Sequence, residues 1–202
     1  MPILIATDAW QPQVNGVVRT LTSLANSASK LGEEIEFLTP DGFPSMPLPT
    51  YPGLRIALPN RYEIARRIEA VSPDAIHIAT EGPIGWAARS YCRRHGLAFT
   101  TSYTTRFPEY VSVRTGIPEW LGYAVMRRFH SASSMVMVAT DSLRRELAER
   151  GFRRLGYWTR GVNTELFRPD EPARLDLPRP IFMTMGRVAV ESWITDVKAK
   201  QL

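Results

Sequence analysis

The tightest constraint on the fold lies in the first 32 residues. Residues 3–6 (Ile-Leu-Ile-Ala) form an apolar run long enough for one buried strand. Val17, Leu21, Leu24, Ala28 and Leu31 then recur at helical spacing, and Gly32 follows as a helix stop. Asn15 and Gly16 stand between the two. A strand that feeds a helix in this way is a unit of a parallel sheet covered by helices. Glycine at the turn lets a ligand approach the backbone, and the first helical turn offers unpaired N–H groups and a positive dipole end. The motif reads either as a phosphate or anion seat or as a plain tight turn.

The alternation continues. Strands are expected at 35–38, 74–78, 97–102, 135–138 and 155–158, with helices at 62–71, 83–95, 118–129 and 141–151. Residues 41–60 read as a long proline-rich loop with one short strand near 54–58, and 103–117 as an irregular segment. The expected fold class is α/β, a Rossmann-like parallel sheet with helices on both faces, over residues 1–169. A Pro-rich linker (170–180) and the short start of a second domain (181–202) follow. Lysine occurs only at Lys30, Lys198 and Lys200. Residues 192–202 thus differ in composition from the rest and read as an unrelated tail, as from a frameshift.

Composition narrows the function classes. Of 202 residues, 44% are hydrophobic, which suits a globular core, and no apolar stretch reaches membrane-spanning length. A single cysteine, Cys92, excludes an internal disulfide and a cysteine-rich metal site. With no secretory leader in view, a cytoplasmic location is the default, with the inner face of the membrane as a place to dock. The net charge of +5 suits phosphorylated substrates or an anionic membrane. Zinc-finger and RNP-like patterns are missing, so nucleic acid is not expected as a partner.

Four polar clusters fall where strands end, the ligand side of an open parallel sheet. They are Asp8 with Trp10, Asn15 and Gly16; His77 to Pro83; Thr101 to Tyr110; and Arg160 to Phe167. His77, inside a strand, reads as a satisfied core residue or as an acid–base group. Glu81 reads as a helix-dipole partner or as a group that orients a sugar hydroxyl. Arg19 and Arg106 are forks that could grip phosphate or carboxylate, or sit in surface ion pairs. The glycine signatures of dinucleotide and P-loop sites, the G-x-S-x-G elbow, the Asp-x-Asp clamp and metal-ligand histidine spacing are all missing, so no metal is expected.

Taken in order, TDAWQPQVNGVVRT, DAIHIATEGPIG, TTSYTTRFPEYV, VATDSLRREL, RGVNTELFRP and MGRVAVE make a recognisable series. The chain resembles the N-terminal half of retaining glycosyltransferases of the GT-B fold, in family 4, nearest to bacterial group 1 and α-mannosyltransferase-like enzymes. The resemblance implies an acceptor-binding domain here. It also implies a following domain that binds a nucleotide-sugar such as GDP-mannose or a UDP-hexose, and metal-free transfer with retention to a lipid or glycan. It places Asn15 and Gly16 against donor phosphates and acceptor, and Arg187 on the donor diphosphate.

Two departures stand out. Many relatives carry histidine where this chain has Thr104, so Tyr103, Thr104 or His77 would partly fill that role. The lysine expected after MGRVAVE is replaced by Ser192. The chain is therefore expected to stop before most of the donor domain and to be inactive or nearly so alone. The competing reading is a non-catalytic module that binds an acceptor or a membrane surface.

Overall fold

The structure is a computed structural model that describes residues 2–47, 55–159 and 161–168. The chain divides into two compact units, Met1–Arg160 and Gly161–Leu202. The linker and second-domain residues 170–202, Arg187 included, lie outside the described residues.

The first unit is a six-stranded parallel sheet in the order β2-β1-β5-β6-β7-β8. Its strands are β1 (Pro2–Ala6), β2 (Glu34–Leu38), β5 (Ala75–Ile78), β6 (Thr100–Ser102), β7 (Met135–Val138) and β8 (Leu155–Tyr157). A small antiparallel hairpin, β3 (Ser45–Pro47) with β4 (Arg55–Ala57), stands apart. The helices are α1 (Gly16–Lys30), α2 (Arg61–Val71), α3 (Pro83–His95), α4 (Phe107–Thr115), α5 (Glu119–His130) and α6 (Asp141–Glu149).

Both faces of the sheet are covered, as the run of apolar residues in β1 requires. Leu4 and Ala6 point to the side where Ile64 and Ile68 of α2 and Ile84 and Ala88 of α3 pack. Ile5 points to the other, against Leu21 of α1 and Ala79. A third cluster joins Val136 and Val138 of β7 to Leu147 of α6 and to Tyr103, Tyr123 and Phe152. The expected α/β class is what the structure has.

Some boundaries differ from the sequence reading. Leu31 is not part of the α1 stripe: the helix ends at Lys30, and Leu31 is its cap, 82% exposed. The segment 103–117 is not irregular, because α4 occupies 107–115 with Pro108 buried in its first turn. Its apolar residues do not fall on one face, so periodicity was silent there. The loop 41–60 holds a second short strand, β3, that pairs with β4. β6 begins at Thr100, since Gly96 with φ 65 closes α3 and Leu97 N–H is bonded back to Cys92.

Candidate functional site

The sheet order reverses beside β1: β2 lies on one side of it and β5 on the other. In open parallel sheets the crevice outside the strand ends at such a reversal is where ligands bind. The loops there run from Thr7 to Asn15 and from Ala79 to Gly82.

Asp8 ties these loops together. Its carboxylate accepts from the Thr80 hydroxyl (2.8 Å), from Ile84 N–H (2.7 Å) and from Gly85 N–H (3.2 Å). In return Asp8 N–H donates to Thr80 Oγ1 (2.7 Å). An acceptor-only pattern identifies a carboxylate, and it fills the N-terminal turn of α3, whose own cap residue Gly82 has no side chain. Burial pushes the Asp8 carboxyl above its ordinary range, against the bonds from Ile84, Thr80 and Gly85 that pull it down. Asp8 stands in the first polar cluster of the sequence, where spacing alone does not single it out. Its signal was an acid two residues past a buried strand, facing Gly82-Pro83.

Asn15 caps α1. Its side-chain oxygen accepts from Val17 N–H and Val18 N–H, each at 3.0 Å, and its amide donates to Gln13 Oε1 (3.1 Å). Open space surrounds the position a Cβ would take at Gly16. Arg19 is exposed one turn along α1 and lines an open groove.

His77 is buried in β5 between two hydroxyls of β6. Ser102 Oγ donates to the Ala79 carbonyl (3.4 Å), so it accepts from His77 Nε2–H (3.0 Å). Nδ1 then accepts from Thr100 Oγ1 (2.8 Å). The hydrogen-bond pattern thus makes His77 a neutral ring with both nitrogens engaged, and Trp158 packs edge-on against it at 5.6 Å. Burial lowers its pKa from 6.5 to about 4. A depressed folded-state value gives stability that is fully present above pH 6.5 and is lost as the pH falls through 4. The loss amounts to about 3 kcal/mol. The urea midpoint is therefore expected to fall from pH 7 to pH 4, and to fall less in His77→Gln. Parallel pH profiles for the two chains would refute the assignment.

Glu81 and His130 form a second buried pair, Nε2 to Oε1 at 3.3 Å, each side chain 1% exposed. Ser133 Oγ donates to the His130 carbonyl (2.8 Å), and Thr101 Oγ1 donates to Ser133 Oγ (3.2 Å). Thr101 Oγ1 must then accept from His130 Nδ1–H (2.9 Å). Glu81 faces the interior, with Oε2 buried and without a hydrogen-bond partner among the described residues. His130 escaped the sequence reading, since no local pattern links it to Glu81.

Tyr103 is buried beside this pair, its ring centroid 5.8 Å from that of His130. Burial first, then the neighbouring Tyr123, raises its pKa, so it stays a neutral phenol. Thr104 lines a narrow crevice with Thr20, Ala79, Ser102 and Trp158. Arg106 is committed elsewhere: its fork grips Glu146 at 3.0 and 2.6 Å and touches Glu109 at 3.2 Å. That bond holds the Glu146 carboxyl below its usual range. In the second unit, Asn163 Oδ1 accepts from Glu165 N–H and Leu166 N–H at 2.9 Å, a turn closed by its own side chain. The structure thus brings Asp8, Thr80 and Glu81 to one reversal point, and places His77 and Tyr103 behind the rim.

This geometry has relatives. The chain is 24% identical over 220 residues to the GDP-mannose-dependent alpha-mannosyltransferase of Mycobacterium tuberculosis, covering 95% of this chain and 57% of that one. It is 23% identical over 219 residues to the protein of the same name from Mycolicibacterium smegmatis, covering 96% and 58%. It therefore spans a little over half the length of these relatives. The sucrose-phosphate synthase of Thermosynechococcus elongatus shares the fold, with a TM-score of 0.64 at 14% identity over 84% of this chain and 50% of that one. The family model for glycosyltransferase family 4 matches residues 14–166, from the Asn15 cap of α1 to the Asn163 turn. With that match covering α1 and every strand of the main sheet from β2 on, the chain belongs to glycosyltransferase family 4.

Proposed function

We propose that the protein takes part in transferring a hexose, with mannose the first candidate, from a nucleotide-sugar to a lipid or glycan acceptor. Transfer proceeds with retention and without a metal, and the described domain serves as the acceptor side. The observation that carries this reading is the family match over 14–166 on a sheet whose reversal point gathers polar loops from β1 and β5. The mannosyltransferase names of two relatives support mannose.

In this reading Asn15, Gly16 and Arg19 meet the substrates, and Arg187 meets the donor diphosphate. Thr104 faces the crevice, while His77, Glu81 and Tyr103 act as positioning residues behind it. Positioning is a large part of such catalysis, because both substrates must be held in attack geometry. The 202-residue chain is expected to bind saccharide but to leave GDP-mannose untransformed.

A membrane contact belongs to the same reading, and nucleic acid does not. No helix among the described residues is long and apolar enough to cross a membrane. Helices α4 and α5 and the turn between them, however, expose Trp120 (69%), Val113 (61%), Ile117 and Leu121, and the last turn of α5 carries the cations Arg127 and Arg128. This favours shallow docking on an anionic bilayer.

The test has two arms. Saturation-transfer NMR of the purified chain with mannose, mannobiose and GDP-mannose reads binding, with GDP release assayed in parallel. Sedimentation with phosphatidylglycerol vesicles reads docking, which Trp120→Glu should abolish. Release of GDP, or donor binding with no saccharide bound, would overturn the acceptor-side assignment. Equal sedimentation of the variant would overturn the membrane contact.

A further inference from the structure

An open groove of about 520 Å³ runs along the outer side of α1, walled by the loop that leads into it. Its size is that of a small-ligand site. Gln11, Gln13, Arg19, Thr22 and Ser23 line it, over an apolar strip of Pro12, Val14 and Val18.

Three observations point to one kind of occupant. The first is Arg19. Arg66, Arg67, Arg106, Arg144 and Arg150 are ion-paired to carboxylates, while the exposed Arg93, Arg94, Arg128, Arg145 and Arg153 have no carboxylate partner among the described residues and line no groove with Arg19. The guanidinium of Arg19 has no such partner among the described residues, although it sits on the groove wall. The second is that, among the described residues, no acidic side chain lines the groove or stands in the first turn of α1. An anion entering there meets a cation and neutral polar groups, with nothing to repel it. The third is the mixture of hydroxyl and amide groups with an apolar strip. That pairing suits a sugar, whose hydroxyls seek donors and acceptors while the C–H face of the ring seeks an apolar surface.

We infer that the groove binds a saccharide bearing an anionic group, a phosphate or a carboxylate, with Arg19 as the residue that grips the anion. This deepens the acceptor-side reading and rests on it: it gives the acceptor a chemical class. Neutral glycans would bind weakly, and the anionic group would set both affinity and orientation. Arg19 binds and orients here, and no bond is made or broken through it.

The experiment is a ¹⁵N NMR titration of the full 202-residue chain with mannose 6-phosphate, glucuronate, mannose and inorganic phosphate, each against wild type, Arg19→Gln and Arg19→Lys. Arg66→Gln serves as the exposed-arginine control. Mannose 6-phosphate is expected to shift amides of residues 11–23 saturably, and mannose to bind at least tenfold more weakly. Arg19→Gln should cost about tenfold in affinity, Arg19→Lys less, and Arg66→Gln nothing.

Glucuronate acting through Arg19 would support the shared anionic class. Inorganic phosphate binding as tightly as the phosphosugar would overturn the saccharide part of the assignment. Mannose binding as tightly as its phosphate, or an Arg19→Gln chain with unchanged affinity, would overturn the groove and leave the acceptor-side reading standing. No saccharide bound anywhere on the chain would overturn both.

Discussion

Gly85→Ala is expected to lower the thermal unfolding midpoint by about 8–16 °C, from a loss of about 4 kcal/mol. A Cβ at Gly85 would run into the backbone oxygen of Thr80, and would also crowd Ile78 Cγ2 at 3.2 Å. The obstacle is backbone and cannot rotate away, so α3 must shift from the sheet. Overpacking alone costs about 1–3 kcal/mol. The shift would also draw the Ile84 and Gly85 N–H groups off Asp8, leaving buried donors unpaired at about 1 kcal/mol or more each. Gly16→Ala is the matched control. It meets nothing within 4 Å, so its midpoint should not fall. Circular dichroism melts of the three chains decide the matter, and a Gly85→Ala midpoint within 2 °C of wild type, on the order of half a kcal/mol, would refute the clash.

Removal of the Asp8 carboxylate should be nearly as damaging. Asp8→Ala is expected to cost about 3 kcal/mol, since it deletes the α3 cap and strands Thr80 Oγ1 and two backbone donors. Asp8→Asn keeps an oxygen for Ile84 N–H but turns an NH₂ group toward Gly85 N–H or Thr80, so about half that loss is expected. The burial that disfavours the ionised form works in the same direction, making a neutral amide the milder change. Urea unfolding of both variants at pH 7 measures the difference. Should alanine prove no worse than asparagine, the cap would not be what joins the two loops.

How much of this was legible in the sequence follows from how local each signal is. The first strand, the Asn15 cap and most of α1 are written within thirty residues, and α3 is marked at its start by Pro83 and at its end by Gly96. The α4 helix left no such mark, because its apolar residues scatter around the axis. β3 is three residues long and exists only by pairing with β4 across the loop. The site was half legible. The polar loops could be placed on one rim from strand order alone. The clasp of Asp8 on Thr80, however, joins residues 72 apart, and Glu81 meets His130 across 49. Likewise, that His77 lies between two hydroxyls depends on the β5–β6 register, which aligns it with Thr100. Residue spacing cannot express such partners.

The caps of α1 and α3 have one more consequence. The two helices that flank the sheet reversal are closed by different chemistry: a neutral amide, Asn15, over α1 and an acid, Asp8, over α3. The carboxylate cancels the positive end of its helix, whereas the amide satisfies donors and leaves that end's field in place. The mouth of the sheet therefore has a polarity of its own. An anion at this mouth meets a neutral amide over α1 and a carboxylate over α3, and the α1 side repels it less.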